Sequence, residues 1–312
     1  MRINLFLLVM MCVVLHTKAQ SRILPVLETP SSPQSLSLGG VRMGDINQAY
    51  LYNNPTFLFH NASKSVDYSL GFIPSEGRQT YLFHTFTTAY RYKKSAFFLG
   101  GRYLTMGSLD DWFNNDYEKN SSLGKIDFYS YSLDVGYAYK PNQSFSFYST
   151  AGYAEEKTVS SIRAYRMDFG ASYEGTGKLF RAEMPYSIGL SVANLGKYSY
   201  KDQSDFLAPN VRLGGSVSIV TVTRQTMQVF VDGGAFLPVG ENDFSSFFSG
   251  GVDYCFLNTY SLRIGGHTGD KDDFLSAGFG VKYRAFNVSL GAKIPLRKDL
   301  NSMYMLGLKM DI

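Results

Sequence analysis

What the chain lacks narrows it first. Of 312 residues only two are cysteine, Cys12 and Cys255. Cys12 lies in an apolar leader, so Cys255 stands alone, and a lone thiol excludes a disulfide-stapled secreted domain. Beyond the stretch from Ile3 to Leu15 no apolar run approaches the 18 or so residues that a spanning helix needs. Charge of one sign is missing too: Lys plus Arg total 30 against 26 acidic residues, and losing Arg2 and Lys18 with the leader leaves 28. With basic residues neither in excess nor clustered, a nucleic-acid partner is excluded. Tryptophan occurs once and histidine four times. His60, His84 and His267, the three beyond the leader, are scattered with no pair at metal-ligand spacing.

Alongside these gaps the chain is rich in Tyr (23), Phe (24) and Gly (30). Residues 1–19 read as a signal peptide, with one early basic residue, the apolar run, and Thr17-Lys18-Ala19 ahead of Gln20. Abundant aromatics and glycine without a long apolar run suit a transmembrane barrel, in which each lipid-facing residue has a lumen-facing neighbour.

The period of two bears this out along the chain. Tyr129, Tyr131, Leu133, Val135, Tyr137 and Tyr139 alternate with Ser130, Ser132, Asp134, Gly136, Ala138 and Lys140. Val66, Tyr68, Leu70 and Phe72 do the same early on, and Tyr304, Leu306, Leu308, Met310 and Ile312 do so at the end. About fourteen such segments follow residue 60, each long enough to cross a bilayer on a tilt. The fold class expected is therefore all-β: a closed antiparallel transmembrane β-barrel over 61–312, with 20–60 as a short helical N-terminal plug. A secreted sandwich or propeller also alternates, but it sets a charged face opposite its core. Here the second face is Ser, Gly, Ala and Thr with scattered charges. Tight turns such as "KPNQ" at 140–143 belong on the periplasmic side, and the polar stretch 107–125 outside.

The segment before the first strand is the most specific. "GDINQAYLYNNPTFL", 44–58, has a helix-like rhythm up to Tyr52, and Pro55 is expected to end that helix and hand the chain to the first strand. Leu38-Gly39-Gly40, Asp45-Ile46-Asn47 and Asn54-Pro55-Thr56, in that order, resemble the front end of the PorV/PorQ family of outer-membrane proteins, itself similar to the FadL-type channels. Thr56 stands where that family usually has Ala. "NLGKYSY" at 194–200, "FLAPNVRLGGSVS" at 206–218 and the stretch 260–296 are similar to later parts of the PorV branch. The resemblance implies a barrel with its front segment folded inward, marked by Gly39, Gly40, Asp45, Asn47, Asn54 and Pro55. It also implies an interaction protein of the type IX secretion system, in the outer membrane of Bacteroidetes. Its partners would be the C-terminal domains of secreted cargo or proteins of the surface attachment complex. The alternative is a FadL-like channel for hydrophobic solutes, and a segment left as a periplasmic tail is the plainer reading of 20–60.

No catalytic residue, cofactor or metal site is expected. His84 has serines nearby, but a barrel hydrolase needs a histidine, a serine and an orienting partner side by side. "GDKDDF" at 269–274 lacks the ligand pattern of a calcium loop. Trp112 and Phe113 are candidate partner contacts in an outer loop, or members of the aromatic girdle. Arg91, Arg102, Arg163, Arg166, Arg212, Arg263, Lys282 and Lys293 fall within strands, where the cost of charge in lipid sends them to the lumen or the interfaces. Paired with Asp67, Asp134, Asp168, Asp232 and Asp253 they could tie plug to wall.

Overall fold

Alternating segments become strands because a closed barrel satisfies every backbone amide between neighbours, the only extended arrangement a bilayer tolerates. A computed structural model describes residues 24–75, 80–108, 127–179, 182–201, 203–222, 224–239, 244–270, 272–298 and 300–312. The leader, Trp112 and Phe113 lie outside the described residues. Strands run β1 (Lys64–Ile73), β2 (Tyr81–Tyr92), β3 (Ser95–Ser108), β4 (Asp127–Tyr139), β5 (Phe145–Lys157), β6 (Ser161–Leu179) and β7 (Ala182–Tyr200). They continue as β8 (Gln203–Phe206), β9 (Asn210–Val222), β10 (Gln225–Phe236), β11 (Ser245–Phe256), β12 (Tyr260–Gly269), β13 (Phe274–Tyr283), β14 (Phe286–Pro295) and β15 (Met303–Asp311).

Each long strand pairs antiparallel with its neighbours, and β1 pairs with β15 to close the ring, Ser65 opposite Asp311 and Phe72 opposite Tyr304. Fourteen long strands thus form the wall. The fifteenth, β8, is a four-residue piece folded back on the outer end of β7, Lys197 opposite Phe206. Sequence alternation missed it because four residues carry too short a pattern. Alternation is also interrupted within β7, where Asn194 at φ 61° and a register shift at Met167/Phe169 break the period.

The wall is inside-out relative to a soluble sheet. In β1, Ser65, Asp67 and Ser69 are buried while Val66, Tyr68 and Phe72 are exposed. In β4, Ser130, Ser132 and Asp134 face in and Leu133 and Val135 face out. The exposed face carries Leu99, Leu190, Leu213, Ile264, Leu290 and Leu306, a continuous apolar belt. A closed antiparallel barrel with an apolar exterior is a bacterial outer-membrane protein. Tight links at 93–94, 257–259 and 284–285 lie at the end of the barrel where Ile312 meets Lys64 (N–H to O, 2.9 Å). By the usual asymmetry that end is periplasmic.

The core is the contact between the wall and residues 24–62, which sit inside the ring. Tyr50, Leu51, Tyr52, Phe57 and Leu58 pack on Ala89, Ala96, Phe98, Ala138 and Tyr148. Leu24, Val26, Leu27 and Leu36 pack on Phe83, Leu104, Met303 and Met305. Leu38, Val41 and Ile46 surround Phe230. A further expectation fails locally: residues 44–49 are not helical. Turns of 3-10 helix at Tyr50–Tyr52 and Pro55–Phe57 and short helices α1 (Pro33–Ser37) and α2 (Leu58–Asn61) supply the helical content. Pro55 begins a turn instead of ending one, because Asn54 caps it, its side chain accepting from the Thr56 N–H at 3.2 Å, and proline fits a first helical position.

Leu133, 60% exposed at the middle of β4, tests the lipid face. Leu133→Arg is expected to lower unfolding stability in liposomes by about 2–4 kcal/mol, measured by urea titration. No measurable cost would place residue 133 off the lipid face.

Candidate functional site

The plug is held by backbone groups reaching into a wall of small side chains. Gly39 sits at φ 78°, and a Cβ there would lie 2.2 Å from the carbonyl oxygen of Gly266, so only glycine allows the chain to lie against β12. Its N–H donates to Ser276 Oγ at 3.0 Å, and that hydroxyl donates to the Ser37 carbonyl at 3.0 Å. Gly40, at φ 77°, makes the following turn. The Asp45 N–H donates to Ser216 Oγ at 3.1 Å. Its carboxylate accepts from Asn61 at 3.2 Å, and burial pushes its pKa up.

Asn47 and Asn54 work with their side chains. Asn47 Oδ1 accepts from both Tyr50 OH and Lys309 Nζ. Lys309 on β15 is fully buried and also reaches Tyr50 OH at 2.9 Å and Asp311 at 2.8 Å. Asn54 Nδ2 donates to Ser172 Oγ on β6 at 2.9 Å. The Thr56 hydroxyl lies 2.7 Å from Asn54 Oδ1 and 2.9 Å from Ser172 Oγ, a bridge that alanine at this position could not make.

The strand charges divide as their cost in lipid demands. Arg102, Arg166, Arg212 and Arg263 are buried in the lumen beside Asp134, Asp168, Asp232 and Asp253. Arg163 is mostly exposed, beside Glu155. These pairs lie within the wall, and some of their members also hold the plug's backbone. The Asp232 carboxylate accepts from the N–H of Arg42 (2.6 Å) and of Met43 (3.1 Å), Arg212 donates to the Gly40 carbonyl (3.2 Å), and Arg102 to that of Leu27 (3.3 Å).

Between the plug and the outer end of the wall lies a cavity of about 460 Å³. Leu27, Arg42, Leu51 and Tyr52 of the plug line it, as do Arg102, Tyr148, Arg166, Arg212, Phe236, Phe247, His267, Lys293 and Met303 of the wall. The family-like motif touches it only through Gly40; Asp45, Asn47, Asn54 and Pro55 lie away from it and serve the plug's attachment. On the lipid side a groove runs between Leu99, Leu133, Val135, Tyr165, Met167 and Leu195, with Asp134 and Arg166 at its floor. Arg166 lines both spaces, next to the register shift in the β6–β7 pairing. Asp134 can lean inward because Gly152 faces it; a Cβ at 152 would sit 1.9 Å from Asp134 Oδ1.

One cluster escaped sequence reasoning. Ser249 and His267 are directly opposed on β11 and β12, with Oγ 2.7 Å from Nδ1, and His267 Nε2 is 3.0 Å from Asp272. The imidazole stacks on Phe274 at 5.0 Å and on Phe247 at 5.9 Å. The residue types match a hydrolase triad, yet Ser249 is 0% exposed and does not line the cavity, so its hydroxyl meets no substrate there. The cluster holds the rings that form the cavity mouth. Only the strand register reveals it.

No protein-family model matches the chain, and no curated protein matches it in sequence. Solved structures do. The toluene transporter TodX of P. putida matches 92% of this chain over 99% of its own, with TM-score 0.61 and 12% identity. The toluene transporter TbuX of Ralstonia pickettii matches 91% over 99%, with TM-score 0.60 and 12% identity. The CymD monoaromatic hydrocarbon channel matches 93% over 99%, with TM-score 0.62 and 12% identity. The fold is that of the FadL-like barrels. These neighbours are channels and transporters, not enzymes, and at such identity the likeness concerns the fold alone.

Asn47→Ala would leave the Lys309 ammonium short of a partner in the lumen. It is expected to cost about 1–3 kcal/mol, seen as a lower temperature at which the folded barrel loses its fast gel mobility. Adding Lys309→Met should restore part of the loss.

Proposed function

We propose that this protein is an outer-membrane channel of the FadL type, admitting small hydrophobic or amphipathic solutes from the outer end. The observation that carries the reading is the 460 Å³ cavity between plug and wall, within the size range of small-molecule sites and rimmed by Phe236, Phe247 and Phe274. Likeness in fold to a toluene transporter and a monoaromatic hydrocarbon channel supports it. The wall at Arg166, which lines both the cavity and the lipid-side groove, offers a way from cavity to membrane that leaves the plug in place. Such a step needs the Arg166–Asp134 contact, 2.5 Å, to swing aside. Proteoliposomes holding the barrel are expected to take up toluene faster than empty ones. Leu27→Trp, which intrudes on the cavity from the plug, should cut the rate several-fold while the barrel still folds. Equal rates with and without protein would end this reading.

A second reading is a PorV-like barrel of the type IX secretion system, binding cargo C-terminal domains or attachment-complex proteins. What favours it is how fully Asn47, Asn54 and Thr56 are built into the wall, since a plug bonded at so many points suits a sealed interaction protein. On this reading the purified barrel captures a recombinant type IX cargo C-terminal domain and gives no toluene uptake. On the channel reading the same capture fails.

A further inference from the structure

Basic side chains gather on one stretch of the lipid-facing wall, near its outer end. The register sets outward residues of β4 to β7 in rows across the strands. The outer row is Tyr131, Glu155, Arg163 and Ser199; the next is Leu133, Tyr153, Tyr165 and Lys197; the third is Val135, Ala151, Met167 and Leu195. Lys157, opposite Tyr129, stands above the first row. Arg163 and Lys197 are therefore diagonal neighbours on adjacent strands, close enough for one ligand group to meet both. Toward the outer ends of β9, β11, β13, β14 and β15 the exposed residues Leu213, Phe248, Leu275, Ile294 and Tyr304 carry no charge.

An aromatic girdle with snorkelling lysines is ordinary at a membrane interface. Here charge and shape depart from it together. Glu155 is the carboxylate of these rows, and it is already engaged. Its Oε2 accepts from Tyr131 OH at 3.1 Å and Tyr153 OH at 2.6 Å, and its Oε1 lies 3.5 Å from Arg163 Nε. Lys197 Nζ lies 4.7 Å over the Phe206 ring and Lys157 Nζ 6.0 Å over that of Tyr129. Among the described residues neither lysine has a carboxylate within 4.0 Å. Lys157, Arg163 and Lys197 against Glu155 leave the patch positive.

A second, independent observation is the groove directly beneath. Lys197, Tyr165 and Tyr153 form its outer end, and Leu133, Val135, Met167 and Leu195 its sides. Ala151, set between Val135 and Met167 in its row, is the small residue that leaves it open. A cationic rim over an apolar furrow matches a lipid whose phosphate sits at the interface and whose acyl chain lies along the wall. A soluble anion would use the rim and leave the furrow without a role. The outer leaflet of a bacterial outer membrane presents phosphate on its glycolipid, so the complementary ligand faces this patch.

We propose that β4 to β7 carry a site for one phosphorylated glycolipid of the lipid A type. Its phosphate bridges Lys197 and Arg163, and one acyl chain lies in the groove over Ala151. The site is on the outside of the barrel and is independent of what the cavity conducts.

Native mass spectrometry of the whole barrel, released from detergent micelles after incubation with a lipid, tests this. The probes are bis-phosphorylated lipid A, its dephosphorylated form and phosphatidylglycerol. One bis-phosphorylated lipid A per barrel is expected to stay bound, and the other two at least about tenfold less. The double variant Arg163→Gln/Lys197→Gln should lower retention at least about tenfold, and Ala151→Trp should lower it with the rim intact. Arg284→Gln, a cation over the Tyr283 ring at the periplasmic end, should leave it unchanged. Equal retention of the dephosphorylated lipid or of phosphatidylglycerol overturns the assignment. So does loss of retention with Arg284→Gln, or no retention at all. The wild-type comparison of the three lipids decides the matter even if a variant fails to fold.

Discussion

A ring of fourteen strands encloses more space than its own inward side chains can fill, and the rest of the structure follows from that constraint. The wall cannot fill the space with large residues, because plug backbone has to lie against it. Its inner face is therefore built of serine and glycine, and the plug supplies the bulk. The hydrophobic core of this protein is a contact between a 24–62 segment of irregular backbone and a sheet that faces lipid on its other side. Irregular backbone at membrane depth is tolerated only when its amides are satisfied. Here Ser276, Ser216, Asp232 and Ser172 satisfy them or their neighbours.

The strands were legible because lipid on one side and a polar lumen on the other impose alternation on every crossing. The alternating stretches from Val66 to Phe72, from Tyr129 to Lys140 and from Tyr304 to Ile312 lie within two residues of β1, β4 and β15. The legibility ended where alternation ended. Asn194 in a left-handed conformation and the shift at Met167/Phe169 let β7 run on to Tyr200 beside β8, which no two-residue period could announce. Pro55 was misread because proline closes one helix and opens another with equal ease. Asn54 in front of it was the better clue, and its capping role shows only once its side chain is placed.

The inner charges show a different limit. That arginines in strands turn inward follows from the cost of placing them in lipid. Which carboxylate each one meets depends on register: Asp134 faces Gly152 and so can bend toward Arg166 on the next strand but one. Ser249 and His267 likewise meet only because β11 and β12 pair as they do. Such constellations are products of closure, and a linear reading sees scattered residues.

Plug attachment and cavity lining fall on different residues. Asp45, Asn47, Asn54 and Thr56 hold the segment in the ring, while Leu27, Arg42, Leu51 and Tyr52 face the open space above it. A resemblance carried by the first set therefore speaks to how the lumen is filled, and says little about what enters it. Fold likeness to hydrocarbon channels is equally silent on charge, since backbone shape is indifferent to whether a cavity is lined with leucine or arginine. Whatever enters meets the second set, where guanidinium groups and aromatic rings line the same space.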